Sequence, residues 1–299
     1  MPDAPARGLG VSFGASYLGF PTHLGFLRGL LVQGWAPVAV AGSSAGSIMA
    51  GFYAAGLSLE EIETSFTRPD LKRFFRERTF PWRVLATFLF RPGYPAVLTG
   101  RGLEKLLYAL LGDRRIEDCT KARLTIAVAN LGKNAVELRT KGPLVETILA
   151  SCALPGFLAP RWIEGELLWD GGLGSVVPVE QWIDDPEITH VAAHSLLHEE
   201  FAKACATPER HTFPSAMLAG HQLAATELLR WKIELLRRSG KVVSAVETTT
   251  PRPRMGFPMS APAPKPWPEH ARDLISLGEA TAAQAHAEFI FAEKPAASY

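Results

Sequence analysis

A serine framed by two glycines is the first feature of this sequence able to do chemistry. Gly42-Ser43-Ser44-Ala45-Gly46 fits the pattern Gly-x-Ser-x-Gly. A nucleophile on a tight strand-to-helix turn takes up a strained backbone conformation, costing on the order of 1–3 kcal/mol. Residues two before and two after it must be small, because their side chains would collide across the turn. The hydroxyl then sits at a helix N-terminus, where the dipole favours developing negative charge. The same five residues also fit a Ser-rich loop capping a buried helix, so the pattern alone leaves both readings open. A second group is His190, His194 and His198, spaced four apart on one face of a helix or strand. No carboxylate or cysteine completes a metal set with them, so neither metal nor cofactor is expected. Ser44, Asp170 and His194 do follow the hydrolase order Ser, Asp, His, which keeps a triad as an alternative. P-loop, HExxH and paired CxxC patterns are absent, and the N-terminal glycines fail the dinucleotide pattern.

The elements that must position these residues follow from patterning. Gly8 to Phe13 reads as a first strand, and Thr22 to Val32 as a helix closed by Gly34. Pro37 to Ala41 is a short strand running into the serine turn, and Ser47 to Ala55 a small-residue helix stopped by Gly56. Ser58 with Glu61 is a capping box opening the next helix. Strand, helix, strand, helix within sixty residues is a βαβ unit. Further helices are expected at 101–111, 144–153, 215–238 and 270–291. Strands are expected at 124–129, 135–139, 166–169, 188–196 and 242–246. At most two strands precede Ser44, whereas an α/β-hydrolase places its nucleophile after several, which disfavours that topology.

Three ordered blocks resemble the patatin-like phospholipase family. Gly14-Ala-Ser-Tyr-Leu-Gly19 with His23-Leu-Gly25 is similar to its Gly-rich oxyanion loop and following helix. Val40 to Gly46 is similar to its nucleophile block, with Ser44 at the serine. Ala150-Ser-Cys-Ala-Leu-Pro-Gly156, then Leu168-Trp-Asp-Gly-Gly-Leu173 and Val177-Pro178, look like its Asp-Gly-Gly block, with Asp170 at the catalytic aspartate. The similarity covers most of residues 8–291. It implies a three-layer α/β/α fold with a mostly parallel central sheet, in a single domain over 1–299 with its core at 8–291. It also implies a Ser–Asp dyad without histidine. Asp170 takes the proton from Ser44, which attacks an acyl ester and forms an acyl-enzyme that water later cleaves. A carboxylate, with a reference pKa near 4, does this only where desolvation raises its proton affinity. Gly42 and Gly46 would shape the elbow, and Gly171 and Gly172 would let backbone approach Asp170. Alone, Asp170-Gly171 also fits an ordinary turn.

The oxyanion block departs from the family form, which has three glycines and then an arginine. Here Gly14, Ala15 and Ser16 stand at the glycines and Leu18 at the arginine. Ala15 and Ser16 are the expected amide donors. The departure keeps a second function open: a non-catalytic lipid-binding or interaction protein on the same fold.

Composition sets the partners. The 299 residues are 47% hydrophobic and 20% charged, enough apolar content for a sizeable core. A net charge of +1 argues against nucleic acid as a partner. Between Gly8 and Leu59 the only full charge is Arg28, yet Gly, Pro and Ser interrupt that stretch too often for a membrane span. Elements covered on both sides, as in a parallel sheet, explain it. Residues 68–98 differ, with seven Arg or Lys against two acids, seven aromatics and four prolines. Arg73, Phe74, Phe75, Arg76 and Trp82 form a candidate lipid interface there. The other reading is a long loop whose aromatics pack onto the core. Residues 252–268 are Pro-rich and expected to cross the surface extended. Cys119, Cys152 and Cys205 show no disulfide or metal spacing, and the first residues no secretory pattern. Together these give the expectation of a cytoplasmic protein, peripheral at a membrane surface, acting on a lipid or other acyl ester.

Overall fold

The first sixty residues form β1 (Leu9–Phe13), α1 (Phe20–Val32), β2 (Pro37–Ser43), α2 (Ala45–Ala54) and α3 (Leu59–Thr67). This is seen in a computed structural model, which describes residues 8–71, 77–198, 213–251 and 265–293. Arg73, Phe74, Phe75, Arg76, Cys205 and most of the Pro-rich 252–268 segment lie outside the described residues. Then come α4 (Phe80–Phe88), β3 (Ala96–Leu98), α5 (Arg101–Leu111), β4 (Arg123–Asn130), β5 (Ala135–Arg139) and α6 (Leu144–Ser151). After them run β6 (Gly156–Leu158), β7 (Arg161–Ile163), β8 (Glu166–Asp170), β9 (His190–His198), α7 (Phe213–Arg238), β10 (Val242–Thr250) and α8 (Trp267–Glu293).

The sheet has eight strands, ordered β10-β9-β1-β2-β4-β8-β7, with β5 also on β4. From β10 to β4 every neighbour is parallel, and the strands beyond β4 are antiparallel. Every residue of β1 is buried, as a strand covered on both faces requires. One face packs under α1, α2, α3, α5, α6 and α8; the other is covered by α7 and by the turn holding Val177, Val179 and Trp182. This is a three-layer α/β/α sandwich.

The register on β4 places the serine strand. Ile126 and Ala127 pair with Gly42 and Ser43 of β2 and also with Arg139 and Leu138 of β5. β2 and β5 therefore lie on opposite edges of β4. Val128 to Asn130 pair with both β5 and β8, so β8 takes the edge that β2 has left. Ser43 stands opposite Ala127, and Asp170 opposite the next residue, Val128.

Helix ends follow local rules. α1 carries Pro21 in its first turn, where a missing N–H costs nothing. It closes with Gly34 at φ 81°, while Trp35 N–H donates to Leu30 O and Gly34 N–H to Leu31 O, a Schellman motif. α2 ends the same way at Gly56 and α7 at Gly240. α8 crosses α1 at close range: a β-carbon on Gly25 would stand 1.8 Å from Ile275 O, and one on Gly278 2.0 Å from Thr22 O. Arg28, the one full charge of the first stretch, pairs with Glu63 of α3 and Glu279 of α8.

Candidate active site

Ser44 sits between the end of β2 and the start of α2 with φ 51° and ψ −126°, the strained backbone of a nucleophile elbow. Its flanking glycines are sterically required. A β-carbon on Gly42 would approach Gly46 O to 2.4 Å, and one on Gly46 would meet Phe13 O at 2.1 Å. Ser44 Oγ donates to Asp170 Oδ2 at 2.7 Å, while Asp170 Oδ1 accepts from Gly172 N–H at 2.7 Å. Asp170 is only 2% exposed. Burial raises its pKa from 3.8 to about 7, against the opposing hydrogen bonds from Ser44 and Gly172. A β-carbon on Gly171 would lie 2.1 Å from Ala127 O, so that glycine lets the turn after Asp170 press onto β4.

Two supporting residues carried no assigned role in the sequence. Ser151, at the end of α6, accepts from the Ser44 N–H at 2.9 Å and donates to Ala127 O at 2.7 Å. It ties the elbow to the same β4 residue that Ser43 faces. His221 on α7 donates from Nε2 to Gly172 O at 3.0 Å, holding the turn beyond Asp170. Ser151 stood inside a recognisable block, Ala150 to Gly156. Nothing in spacing connects His221 to Asp170, because α7 reaches that turn only through tertiary packing.

The oxyanion loop corrects an expectation. Gly14 N–H donates to His194 O at 2.9 Å and Ala15 N–H to Val176 O at 2.8 Å, so neither is free to meet a substrate. Of the three residues, Ser16 alone keeps an N–H without an acceptor among the described residues. Its hydroxyl is likewise buried without a partner. Ser47 N–H closes onto Ser44 O at 2.9 Å, whereas the N–H groups of Ala45 and Gly46 at the start of α2 have no acceptor among the described residues and lie at the electropositive end of that helix.

The triad alternative is overturned by His194. Its Nδ1 faces His23 Nδ1 at 2.9 Å and its Nε2 faces Thr248 Oγ1 at 2.9 Å, while its ring stacks on Phe26 at 4.0 Å. His23 Nε2 lies 2.9 Å from Gly14 O. A carbonyl only accepts, so His23 carries its proton on Nε2 and His194 carries its own on Nδ1. Both rings are fully buried, and burial lowers the pKa of His23 to about 3 and holds that of His194 well below the ordinary histidine range. With both nitrogens engaged, His194 cannot serve Ser44; the pair instead braces the carbonyl of Gly14. His190 packs against Trp35 and Phe289.

Ile48, one turn along α2 from Ser44, lines a packing void of only about 20 Å³ with Phe20, Phe52, Phe66, Leu103 and Leu107. A larger surface groove of about 650 Å³, lined by Arg237, Val242 and Phe291, contains none of the residues around Ser44. Among the described residues no cluster of three or more His, Cys, Asp or Glu is placed to hold a metal, and no helix is long and apolar enough to cross a membrane.

The site is thus a serine on a glycine-locked turn, hydrogen-bonded to a buried aspartate, on an α/β/α sandwich. The sequence model of the patatin-like phospholipase family matches residues 12–183, and the chain belongs to that family. An uncharacterized NTE family protein of Mycobacterium tuberculosis is 31% identical over 163 residues, covering 52% of this chain and 40% of its own length. A lysophospholipase NTE1 of Candida glabrata is 30% identical over 158 residues, covering 53% of this chain and 9% of its own length. The chain thus spans less than half the length of these curated relatives. Among solved structures, VipD from Legionella pneumophila superposes with a TM-score of 0.52 at 16% identity, over 93% of this chain and 66% of that one. At that identity the likeness speaks for the fold alone.

Proposed function

We propose that this protein is a serine lipid acyl hydrolase, working as one domain on carboxylic ester bonds of phospholipid, lysophospholipid or acylglycerol. The observation that carries the reading is the 2.7 Å hydrogen bond from Ser44 Oγ to a carboxylate 2% exposed. Burial gives Asp170 a proton affinity suited to a general base near neutrality. Ser44 Oγ attacks the acyl carbon as its proton passes to Asp170. The carbonyl oxygen becomes an oxyanion facing Ser16 N–H and the start of α2. Collapse of that intermediate breaks the ester bond, and the leaving alkoxide takes the proton from Asp170. Water then gives a proton to Asp170 and attacks the acyl-enzyme, releasing the acid and restoring Ser44. The relative named a lysophospholipase supports a lipid substrate. The base must be ionised, so kcat/KM falls tenfold per unit below about pH 7.

Purified protein assayed on short- and long-chain esters tests this. Ser44→Ala is expected to lose on the order of 10⁴-fold or more in rate, and Asp170→Asn a comparable factor. Full activity in either variant would sink the dyad. The engaged Gly14 and Ala15 amides favour one other reading, a lipid-binding protein that does no chemistry. Covalent labelling of Ser44 by a fluorophosphonate supports the enzyme; folded protein that resists labelling supports the binding protein.

A further inference from the structure

We propose that α4 and its C-terminal turn form a docking surface for a lipid bilayer with anionic headgroups. This rests on the lipid-hydrolase reading and names the surface that would deliver substrate. The helix turns its apolar side outward. Trp82, Leu85, Phe88 and Leu89 are all more than half exposed, with Phe88 at 71%, while Ala86 faces inward. Folding alone gives no reason to put three large apolar groups of a nine-residue helix, and a fourth at its C-cap, in water.

Phe90 adds an independent observation. α4 ends in the same Schellman turn as α1, α2 and α7: Phe90 N–H donates to Thr87 O and Arg91 N–H to Ala86 O. The other three place Gly34, Gly56 and Gly240 at the left-handed position; α4 places Phe90 there, at φ 53°. An L-residue with a bulky side chain is strained in that region, and Phe90 is 92% exposed, so no burial offsets the strain. The conformation carries an aromatic ring out to the tip of the surface, where a water–lipid boundary would take it up.

Charge selects the occupant. Residues 78–103 contain Arg78, Arg83, Arg91 and Arg101 and no acid. Arg83 is spent inside, donating to Ala96 O and fixing α4 to β3. Arg78 and Arg91 are exposed and form no ion pair among the described residues, and the Arg91 guanidinium lies 5.7 Å from the Trp82 ring centre. Cations beside exposed aromatics fit phosphate headgroups above acyl chains better than the apolar face of a protein partner. The surface is also tied to the mouth of the site. β3 pairs with β6, and the Phe157 ring of β6 packs at a tilt of 59° against Tyr17 of the 14–19 loop, with ring centres 5.2 Å apart.

The test is co-sedimentation of the full chain with phosphatidylcholine vesicles, with and without phosphatidylserine. Wild type is expected to bind more tightly when phosphatidylserine is present. Arg78→Glu and Arg91→Glu should each weaken that binding by about fivefold or more. Phe88→Gln with Phe90→Gly should release the protein from both vesicle types, with turnover of a soluble short-chain ester unchanged. Phe90→Gly alone should keep or raise the melting temperature while weakening vesicle binding, the opposite of what a core residue would do. Ser44→Ala should bind vesicles like wild type, which separates failure of the surface from failure of the chemistry. Unchanged vesicle binding in the Phe88/Phe90 variant, or no binding by wild type, would overturn the proposal. So would a dimer in vesicle-free solution that those two substitutions dissociate, since the face would then belong to a second copy.

Discussion

Residues 8–59 and residues 78–101 are both rich in apolar side chains, and they are apolar for opposite reasons. The first stretch is mostly buried, with exposure confined to turns and element ends such as Val32 and Val38, and its one full charge bridges two carboxylates. The second keeps Trp82, Leu85, Phe88, Leu89 and Phe90 in solvent. Glycine follows the same division. In the first stretch Gly34 and Gly56 relieve the left-handed turns that end α1 and α2; in the second, Phe90 occupies such a turn. Hydrophobic content alone does not distinguish a core from a surface built to meet another phase. The covered-or-uncovered state of the helix face does.

Four substitutions would break or sharpen this contrast. Gly171→Ala should act most strongly, because its new β-carbon would stand 2.1 Å from Ala127 O. A loss of at least about 3 kcal/mol is expected, read as a lowered denaturation midpoint together with loss of activity.

Asp170→Asn should move stability and activity in opposite directions. The folded chain binds this proton more tightly than the unfolded chain, with a pKa of about 7 against 3.8. The ionised form therefore opposes folding, and stability falls as pH rises from about 4 to 7. Removing the charge should add a few kcal/mol at pH 8 and nothing below pH 4, measured by denaturant titration at both pH values. Equal effects at both pH values would contradict a desolvated Asp170.

Ser151→Ala leaves the Ala127 carbonyl and the Ser44 amide without their shared partner. A cost of about 1–3 kcal/mol follows, with a fall in kcat larger than any change in KM. Phe88→Ala should do least, within about 0.5 kcal/mol in stability. A larger loss would mean that the outward face of α4 is in fact covered.

Much of the sheet centre was legible because its signals are local. Glycines, prolines and a near-absence of charge marked β1, α1, β2 and α2 to within a few residues. What sequence could not display was register. That β2 and β8 share one edge of β4 depends on pairings between segments far apart in the chain. The oxyanion loop was misread for the same kind of reason: the carbonyls occupying Gly14 and Ala15 come from His194 and Val176. His194 looked like a base because residue order resembles a triad, while its burial between His23, Thr248 and Phe26 is set by tertiary packing. The helix α4 was hidden by Pro81, which is tolerated in a first turn, and by arginines among its apolar residues.

The crossing of α1 and α8 has a consequence for how the chain is made. Arg28 and its partner Glu279 are 251 residues apart. Synthesis from the N-terminus at about 5–20 residues per second would leave the glycine-lined face of α1 uncovered for on the order of 10–50 s. Throughout that interval the apolar side of α1 that the last helix covers in the folded protein is expected to lack its partner. Uncovered apolar surface of that kind favours aggregation. Truncation before α8 should accordingly yield an insoluble product rather than a slow enzyme.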